Sequence, residues 1–571
     1  MTVYSEKIWK KNWDKHVKDL DQKSWNMSFV DSIKQSFEED PNKMALAFLG
    51  VEITFGQLDN MANQFANMLL DNGMEKGDVV AVNLPNTPQY VIALIGALRA
   101  GCAISGVSPL MSAVQIEYQL NDLSENGKRK VVLVTLDAVF EHHITKIAPK
   151  LKNSPLIVTT NVASFLPKIK QKLGKLLKKI PVGKVTPLPD KKVIDFTLDI
   201  LEKYPSTPVK VKITPDDVCF IQYTGGTTGA PKGAMLTHSN AVSDLMIVQK
   251  WINWERGKHV ALSAFPLFHI AGLFFAENCL QLGWGQVLIP DPRNTNEICK
   301  QYGKYKPIVL VNVPSLFQML IKNPKFKSLD HSNLMNCISA ASPFPVESQK
   351  ELEAIVGKGQ LLEVYGMTET SPLTTMNPSK GTKKLGSIGL PLTNMDLKLV
   401  DPGTNKEVAL GEAGEILVRG PMIMKGYLNK QDETAKTIDK DGYMHTGDVA
   451  IMDEEGYLKI VDRTKDMIIV SGFKVFSTKV EDVLAKHPAV GMIALVGIAN
   501  PERPGSENVK AFVQLKPDYP STDEKKIKED IINFAKEKLS PYEIPKIIEI
   551  VKEMPLTAVG KIDKKILRVQ K

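Results

Sequence analysis

The stretch Tyr-Thr-Gly-Gly-Thr-Thr-Gly-Ala-Pro-Lys-Gly, residues 223–233, carries four glycines, three threonines and one lysine. Glycines allow positive φ angles and a close approach of the backbone to a ligand. Free backbone N–H groups, hydroxyls and an ammonium group suit a polyphosphate. The stretch is not a Walker loop, which requires Gly-Lys-Ser/Thr. We predict a phosphate loop after a strand at Val218–Ile221; the alternative is a glycine-rich surface turn. The candidate ligand-binding residues are Thr224, Gly225, Gly226, Thr227, Thr228, Gly229 and Lys232.

Helical and strand-like patterns alternate on both sides of this loop. Apolar residues recur at helical spacing over Phe55–Leu70, and strand-like Val79–Val82 follows. A buried helix is predicted at Tyr90–Ala100, before another strand at Val131–Thr135. The run 90–107 is apolar, but Arg99 within it argues against a membrane span. This alternation predicts an α/β fold with largely parallel sheets.

The C-terminal part of the chain has a different texture. Beyond Leu399, short apolar runs separated by turns predict a small β-rich subdomain. After Arg463, strands at Lys465–Val470 and Val509–Leu515 and a helix at Lys525–Leu539 predict a small α+β unit. A chain of 571 residues is too long for one core. We therefore expect an N-terminal domain at 1–463 and a mobile C-terminal domain at 464–571.

Composition narrows the function classes. The net charge is +8, from 72 basic and 64 acidic residues, and no nucleic-acid recognition motif is present. The five cysteines are scattered without a CxxC pair, which predicts a reducing cytoplasm and neither a disulfide framework nor a zinc site. The first 21 residues lack the apolar core of a signal peptide.

One segment, residues 163–181, has an amphipathic pattern with six lysines and no acidic residue. Apolar residues from Phe165 to Ile180 recur on one helical face, which is typical of a helix at a membrane surface. The alternative is an ordinary helix packed on its own domain. The sequence leaves both interpretations open.

The loop at 223–233 resembles the phosphate loop of the adenylate-forming enzymes, which include acyl-CoA synthetases, firefly luciferase and peptide-synthetase adenylation domains. The longer stretch Gln222–His238 looks most like bacterial long-chain fatty acid–CoA ligases. Four further motifs follow in the family's order, so the resemblance covers nearly the whole chain. It implies activation of a medium- to long-chain fatty acid with ATP, Mg²⁺ and coenzyme A.

The resemblance also implies roles for residues around the nucleotide. Ser339, Ala340 and Ala341 match the family's adenine-edge loop, and Tyr365-Gly366 would lie against adenine. Thr368 would contact the phosphate or acyl oxygen. Magnesium favours oxygen ligands shared with phosphates, and Glu369 with Thr227 would hold it. Asp448 and Arg463 would approach the ribose hydroxyls.

The remaining implied roles concern the acyl group and the second half-reaction. His269 and Gly272 match the acyl-pocket motif, and Lys561 would bridge the carboxylate and the α-phosphate. Lys465 matches the hinge, and the loop carrying Gly472 and Lys474 would enter the site when coenzyme A reacts. A lone histidine such as His269 is equally often a core residue.

Two other functions remain open at this point. An aryl-CoA ligase or another adenylating enzyme shares these motifs. A non-catalytic nucleotide-binding or lipid-sensing protein could keep the fold, but would show no acid-dependent release of pyrophosphate from ATP. The chain length of the acid and the formation of a homodimer are left open by the sequence.

Overall fold

The computed structural model describes residues 2–176, 180–224, 230–257, 259–471, 473–503, 506–517, 519–520, 523–556 and 562–569. Their mixture of helices and parallel-containing sheets confirms the predicted α/β class. The α-helices of six or more residues are Phe29–Glu39, Phe55–Asp71, Pro88–Arg99, Ala113–Leu123, Lys168–Leu176, His238–Ile252, Ile270–Leu282, Thr295–Tyr305, Pro314–Lys322, Val346–Val356, Gln431–Thr437, Ser477–Leu484, Glu524–Lys538 and Lys564–Val569.

Two large sheets form the framework of the described N-terminal region. In spatial order, the first sheet contains Leu390–Pro391, Leu373–Met376, Leu361–Gly366, Asn336–Ser339, Val309–Asn312, Val260–Ser263, Gly285–Leu288, Met44–Phe48 and Val51–Thr54. The second sheet contains Gly426–Tyr427, Lys232–Thr237, Val218–Thr224, Ala103–Gly106, Val79–Asn83, Val131–Leu136, Leu156–Thr160 and Lys192–Asp195. Both sheets are parallel centrally and antiparallel at an edge. The two strands that flank the predicted phosphate loop and the strand that ends at Gly366 therefore belong to different sheets.

Three smaller sheets follow along the chain. A four-stranded antiparallel sheet contains Asp396–Val400, Ala413–Arg419, Met444–Met452 and Leu458–Arg463. A two-stranded sheet contains Ile468–Val470 and Phe473–Val475, and a three-stranded sheet contains Val490–Ala499, Glu507–Leu515 and Ile547–Ile550. The strand predicted at Lys465–Val470 starts three residues later than expected. Its first residues form a turn in which the N–H groups of Asp466 and Met467 donate to the Arg463 carbonyl.

The predicted Tyr90 helix is buried from Pro88 to Leu98 and leads into a core strand, as expected. Gly96 allows it to pack closely on helix Phe55–Asp71, because a Cβ there would lie 2.7 Å from the Ala62 carbonyl oxygen. Arg99, the last residue of the helix, forms an ion pair with Asp59 at 2.6 Å. In the described part of the chain, no helix is long and apolar enough to cross a membrane.

The hydrophobic cores support, without fixing, the proposed domain boundary. One cluster extends from Tyr4 to Leu458 and includes the interior of the four-stranded sheet. A separate cluster lies between Ile468 and Ile548 and contains residues of the three-stranded sheet and helix Glu524–Lys538. We therefore retain 1–463 and 464–571 as proposed domains.

In the amphipathic segment, the structure describes a helix at Lys168–Leu176. Phe165 and Leu166 precede this helix and pack partly against the core. Within the helix, however, Ile169 is 81% exposed, Leu176 is 80% exposed and Leu173 is 53% exposed. The alternative of a helix whose apolar face packs on its own domain does not describe these three side chains. Leu177, Lys178 and Lys179 lie outside the described residues.

Candidate active site

The two stems of the phosphate loop are the antiparallel strands Val218–Thr224 and Lys232–Thr237. Helix Ala113–Leu123 holds both stems. The Tyr118 hydroxyl donates to the Pro231 carbonyl at 3.0 Å, and the Tyr223 hydroxyl donates to Asp122 at 2.6 Å. Thr224 ends the first strand, and its hydroxyl lies 3.5 Å from the Lys232 carbonyl. Five predicted loop residues lie outside the described residues: Gly225, Gly226, Thr227, Thr228 and Gly229.

The Lys232 side chain extends from the start of the second stem. Its ammonium group forms a 2.7 Å ion pair with Glu433 and lies 4.8 Å from the centre of the Tyr427 ring. The Lys232 side chain is 24% exposed, so the residue is partly accessible to solvent. Contact with Lys232 and Lys436 lowers the pKa of Glu433 to about 2. Glu433 is therefore ionised in this structure at neutral pH.

Tyr427 connects Lys232 to the predicted magnesium ligand. Its hydroxyl donates to a carboxylate oxygen of the buried Glu369 at 2.7 Å. Burial raises the pKa of Glu369, which the Tyr427 hydrogen bond and the charge of Lys232 partly oppose. A bound cation would offset the same loss of hydration. The described residues contain no cluster of three metal-binding side chains. Magnesium binding by Glu369 stays a prediction, in which phosphate and water would supply the other ligands.

A second group of polar residues joins the first sheet to the four-stranded sheet. The Tyr365 hydroxyl donates to one oxygen of Asp448 at 2.8 Å, and Arg463 Nε lies 3.2 Å from the other. Asp448 and Arg463 are direct neighbours on adjacent strands. Burial and the charge of Asp448 raise the pKa of Tyr365. The phenol therefore remains a hydrogen-bond donor and fixes the orientation of the carboxylate.

The proposed adenine-edge residues lie at the end of a neighbouring strand. Ser339 is its last residue, and the buried Ser339 hydroxyl has no hydrogen-bond partner in the described structure. Ala340 is half-buried and Ala341 is exposed, with Ala341 in the left-handed region at φ 73°. Gly366 must be a glycine, because a Cβ would lie 1.8 Å from the Pro372 carbonyl oxygen. Thr368 begins the short 3₁₀ turn that carries Glu369.

Of the two predicted acyl-pocket residues, His269 lies outside the core, against the alternative of a core histidine. His269 is exposed and caps helix Ile270–Leu282, with its Nδ1 accepting from the Ala271 N–H at 3.3 Å. Gly272 is buried, and a Cβ there would lie 2.2 Å from the Pro266 carbonyl oxygen. The glycine is therefore needed for the helix to pack against the preceding turn. The two residues lie at the same helix start, and their acyl-binding role remains a prediction.

The residues proposed for the second half-reaction lie in the C-terminal region. Burial, and to a smaller extent the charges of Arg463 and Arg568, lowers the pKa of Lys465 to about 8, and Arg568 donates to the Lys465 carbonyl at 3.2 Å. Lys474 forms an ion pair with Asp401 in the turn after strand Asp396–Val400. Gly472 and Lys561 lie outside the described residues, so the structure does not test their predicted roles.

The two α/β sheets, the β-rich sheet and the separate C-terminal core form the framework that carries these polar groups. The model of the AMP-binding enzyme family matches residues 33–428, and that of the AMP-binding enzyme C-terminal domain matches residues 479–561. The chain belongs to the AMP-binding enzyme family, the adenylate-forming group that its motifs resemble.

Individual relatives and solved structures agree with this assignment. A long-chain-fatty-acid–CoA ligase of Escherichia coli O157:H7 is 38% identical over 99% of this chain and 98% of its own length. The enzyme of the same name from Bacillus subtilis (strain 168) is 37% identical over 94% and 93%. The anthranilate CoA ligase AuaEII in complex with anthranoyl-AMP has a TM-score of 0.80 at 26% identity, covering 96% of this chain and 98% of its own. ATP-bound MatB from Rhodopseudomonas palustris has a TM-score of 0.78 at 25% identity, covering 95% and 98%.

Sequence reasoning missed Tyr427, Glu433 and Asp401. Tyr427 and Glu433 lie about 200 residues beyond Lys232 in sequence and reach it because strand Gly426–Tyr427 pairs with Ala234–Met235. The Gly-Tyr pair followed by an acidic helix start was the available signal, but nothing local identifies its partner strand. Asp401 lies in an Asp-Pro-Gly turn, which reads as a simple reversal of the chain.

Proposed function

We propose that this chain activates a medium- to long-chain fatty acid to its acyl-CoA, with ATP as the energy source and AMP and pyrophosphate as products. The observation that carries the proposal is the sequence identity of 37–38%, over nearly the full length, to long-chain-fatty-acid–CoA ligases. The arrangement of Lys232, Tyr427 and Glu369 beside the phosphate-loop stem agrees with it. So does the aligned pair of Asp448 and Tyr365.

In the first half-reaction, the fatty acid carboxylate attacks the α-phosphorus of ATP. The bond between the α-phosphorus and the oxygen that bridges it to the β-phosphorus breaks. Acyl-AMP and pyrophosphate result. Asp448 would accept hydrogen bonds from the ribose, and Lys232 would neutralise the polyphosphate. Lys561 would stabilise the charge that develops between the carboxylate and the α-phosphate. A magnesium ion held by Glu369 and Thr227 would supply further charge neutralisation at the phosphates.

In the second half-reaction, the thiol of coenzyme A attacks the acyl carbon, a proton is released and AMP leaves. The thiol must reach the acyl carbon, which we propose is enclosed in the conformation used for the first half-reaction. We propose that residues 464–571 rotate about Lys465, withdrawing Lys561 and bringing the loop of Gly472 and Lys474 to the site. This rotation requires the ion pair of Lys474 with Asp401 to open.

A screen of acid-dependent pyrophosphate release tests the proposal. The purified chain should release pyrophosphate from ATP with fatty acids and form acyl-CoA once coenzyme A is added. Release with no acid would contradict the proposal. A lack of release with every acid would instead favour a nucleotide-binding or lipid-sensing protein.

The second candidate is an aryl-CoA ligase. It is favoured by the similarity in fold to the anthranilate CoA ligase. The same screen separates the two, because benzoate and anthranilate would then exceed every fatty acid in kcat/KM. We rank the fatty acid first, because identity to the fatty acid ligases is higher than the 26% to the aryl enzyme.

We also propose that helix Lys168–Leu176 lies on an anionic membrane surface. Its exposed apolar side chains Ile169, Leu173 and Leu176 would enter the acyl region. Exposed Lys168, Lys170 and Lys172 would contact the headgroups, each adding about 1 kcal/mol near the surface. A cytoplasmic protein placed in this way would take up fatty acid where it dissolves.

A further inference from the structure

The ion pair between Lys232 and Glu433 lies where the proposed function requires Lys232 to bind an anion. The 2.7 Å contact is made by Glu433 Oε2, while Glu433 Oε1 lies 3.0 Å from Lys436. A carboxylate on Lys232 occupies one N–H of the ammonium group and offsets the positive charge that the pyrophosphate part of ATP would use. We propose that Glu433 is an internal competitor for Lys232, which ATP displaces on binding and which reclaims the lysine when pyrophosphate leaves.

The contact is built into the fold. Strand Gly426–Tyr427 pairs with Ala234–Met235 on the strand that begins at Lys232. Helix Gln431–Thr437 is attached to the same short strand, because the Tyr427 N–H donates to the Thr434 hydroxyl at 2.9 Å. Two neighbouring strands therefore fix the distance between the lysine and the helix that carries Glu433.

Tyr427 explains why Lys232 pairs with Glu433 rather than with Glu369. The Tyr427 ring lies under the Lys232 ammonium group, and its hydroxyl occupies an oxygen of Glu369. A direct pair of Lys232 with Glu369 would consume the carboxylate proposed to bind magnesium. In the structure, Lys232 instead pairs with Glu433, which is not one of the proposed magnesium ligands.

The exchange does not leave an isolated charge at either stage. When Lys232 moves to a phosphate, Glu433 retains Lys436 through its other oxygen. The Glu433 side chain is 37% exposed, so water also reaches it. An ion pair this exposed is weak because water and salt screen it, and the polyphosphate, with several charges, can displace it.

The inference rests on the proposed function, since Lys232 is a polyphosphate ligand only in a nucleotide-activating enzyme. The test compares wild type with Glu433→Gln, which keeps the side-chain shape and removes its charge. Asp432→Asn is the matched control, because it removes the same charge from the adjacent helix position, and Lys232 pairs with Glu433 instead. Binding of magnesium ATP is measured by calorimetry, and KM for ATP and product inhibition by pyrophosphate are measured kinetically.

We expect Glu433→Gln to lower the Kd and KM for ATP and the inhibition constant of pyrophosphate about three- to tenfold. The neutral side chain no longer competes for Lys232 as a carboxylate does, and it no longer repels the phosphates. Asp432→Asn should change each value less than about twofold. Unchanged or weaker binding of ATP by Glu433→Gln would overturn the inference. A variant with lower kcat and lower thermal stability, but no tighter binding of ATP or pyrophosphate, would also overturn it. If wild type binds ATP but forms no acyl-adenylate, the proposed function fails while the binding comparison still decides the role of Glu433. Failure of wild type to bind magnesium ATP would overturn both.

Discussion

The phenol oxygen of Tyr365 lies 2.8 Å from an oxygen of Asp448, although the two residues are 83 positions apart in sequence. Tyr365 stands at the end of a strand in the first large sheet, and Asp448 belongs to the four-stranded sheet. Arg463 contacts the second oxygen of Asp448. Both carboxylate oxygens are therefore oriented before a nucleotide arrives, which reduces the entropy lost on binding.

The first prediction concerns Asp448 and the ribose. Asp448→Asn should raise KM for ATP about 10- to 100-fold, because a hydrogen bond to a charged group contributes about 1.5–3 kcal/mol. Steady-state kinetics with ATP and with 2′-deoxy-ATP check this. Wild type should prefer ATP, and the variant should lose most of that preference. A variant that still discriminates between the two nucleotides as wild type does would contradict ribose recognition by Asp448.

The second prediction concerns Lys561, which lies outside the described residues. Lys561→Ala should abolish acyl-adenylate formation yet largely spare transfer from supplied acyl-adenylate to coenzyme A, because a bridging lysine acts only while the α-phosphate is attacked. Each half-reaction is measured separately by rapid quench. Lys552→Ala, at an exposed position before the final motif, is the control. Equal loss in both half-reactions would refute the assignment.

The third prediction concerns two fully buried carboxyl groups, Asp244 and Glu277. Burial raises the pKa of both well above the usual range, and Asp244 also raises that of Glu277. Asp244 Oδ2 accepts from the Leu373 N–H at 3.0 Å, while Asp244 Oδ1 and Glu277 Oε1 have no hydrogen-bond partner in the described structure. Both groups are therefore protonated in the folded protein at pH values where the unfolded chain has lost those protons.

For each group, the free energy of unfolding falls by about 1.4 kcal/mol per pH unit as pH rises from the unfolded to the folded pKa. It falls because the folded protein keeps a proton that the unfolded chain has lost. Stability should thus be highest below the unfolded pKa, near 4, with respect to these groups. Asp244→Asn and Glu277→Gln, which keep an acceptor oxygen, should flatten the decline. Urea unfolding from pH 5 to pH 8 measures it, with exposed Asp432→Asn as the control. An unchanged slope in the double variant would show that neither group binds the extra proton.

The fourth prediction concerns helix Lys168–Leu176. Changing Lys168, Lys170 and Lys172 together to Glu should abolish co-sedimentation with anionic vesicles, because each lysine adds about 1 kcal/mol at such a surface. Adenylation of a short, water-soluble acid should be unchanged. Exposed Lys15, Lys18 and Lys23 changed to Glu give a control of equal net charge. Wild type that ignores anionic vesicles at low salt would refute the membrane proposal.

The sequence by itself determined the elements that depend on local pattern. Helix Phe55–Asp71, helix Pro88–Arg99 and strand Val131–Leu136 lie within two residues of their predicted bounds. Burial of one helical face or of a whole strand imposes a periodicity that is visible in the residues themselves. The phosphate loop was predicted from a different signal, the contiguity of its glycines and hydroxyls, and it stays a prediction.

Only the tertiary structure decided which distant residues meet. The partner of Lys232 depends on the pairing of Gly426–Tyr427 with Ala234–Met235, and the orientation of Asp448 depends on how two sheets pack. The exposure of Ile169 and Leu176 was equally hidden, because an amphipathic pattern specifies an apolar face but not what covers it. Local periodicity encodes secondary structure, whereas these contacts arise from long-range packing that no single segment of the chain contains.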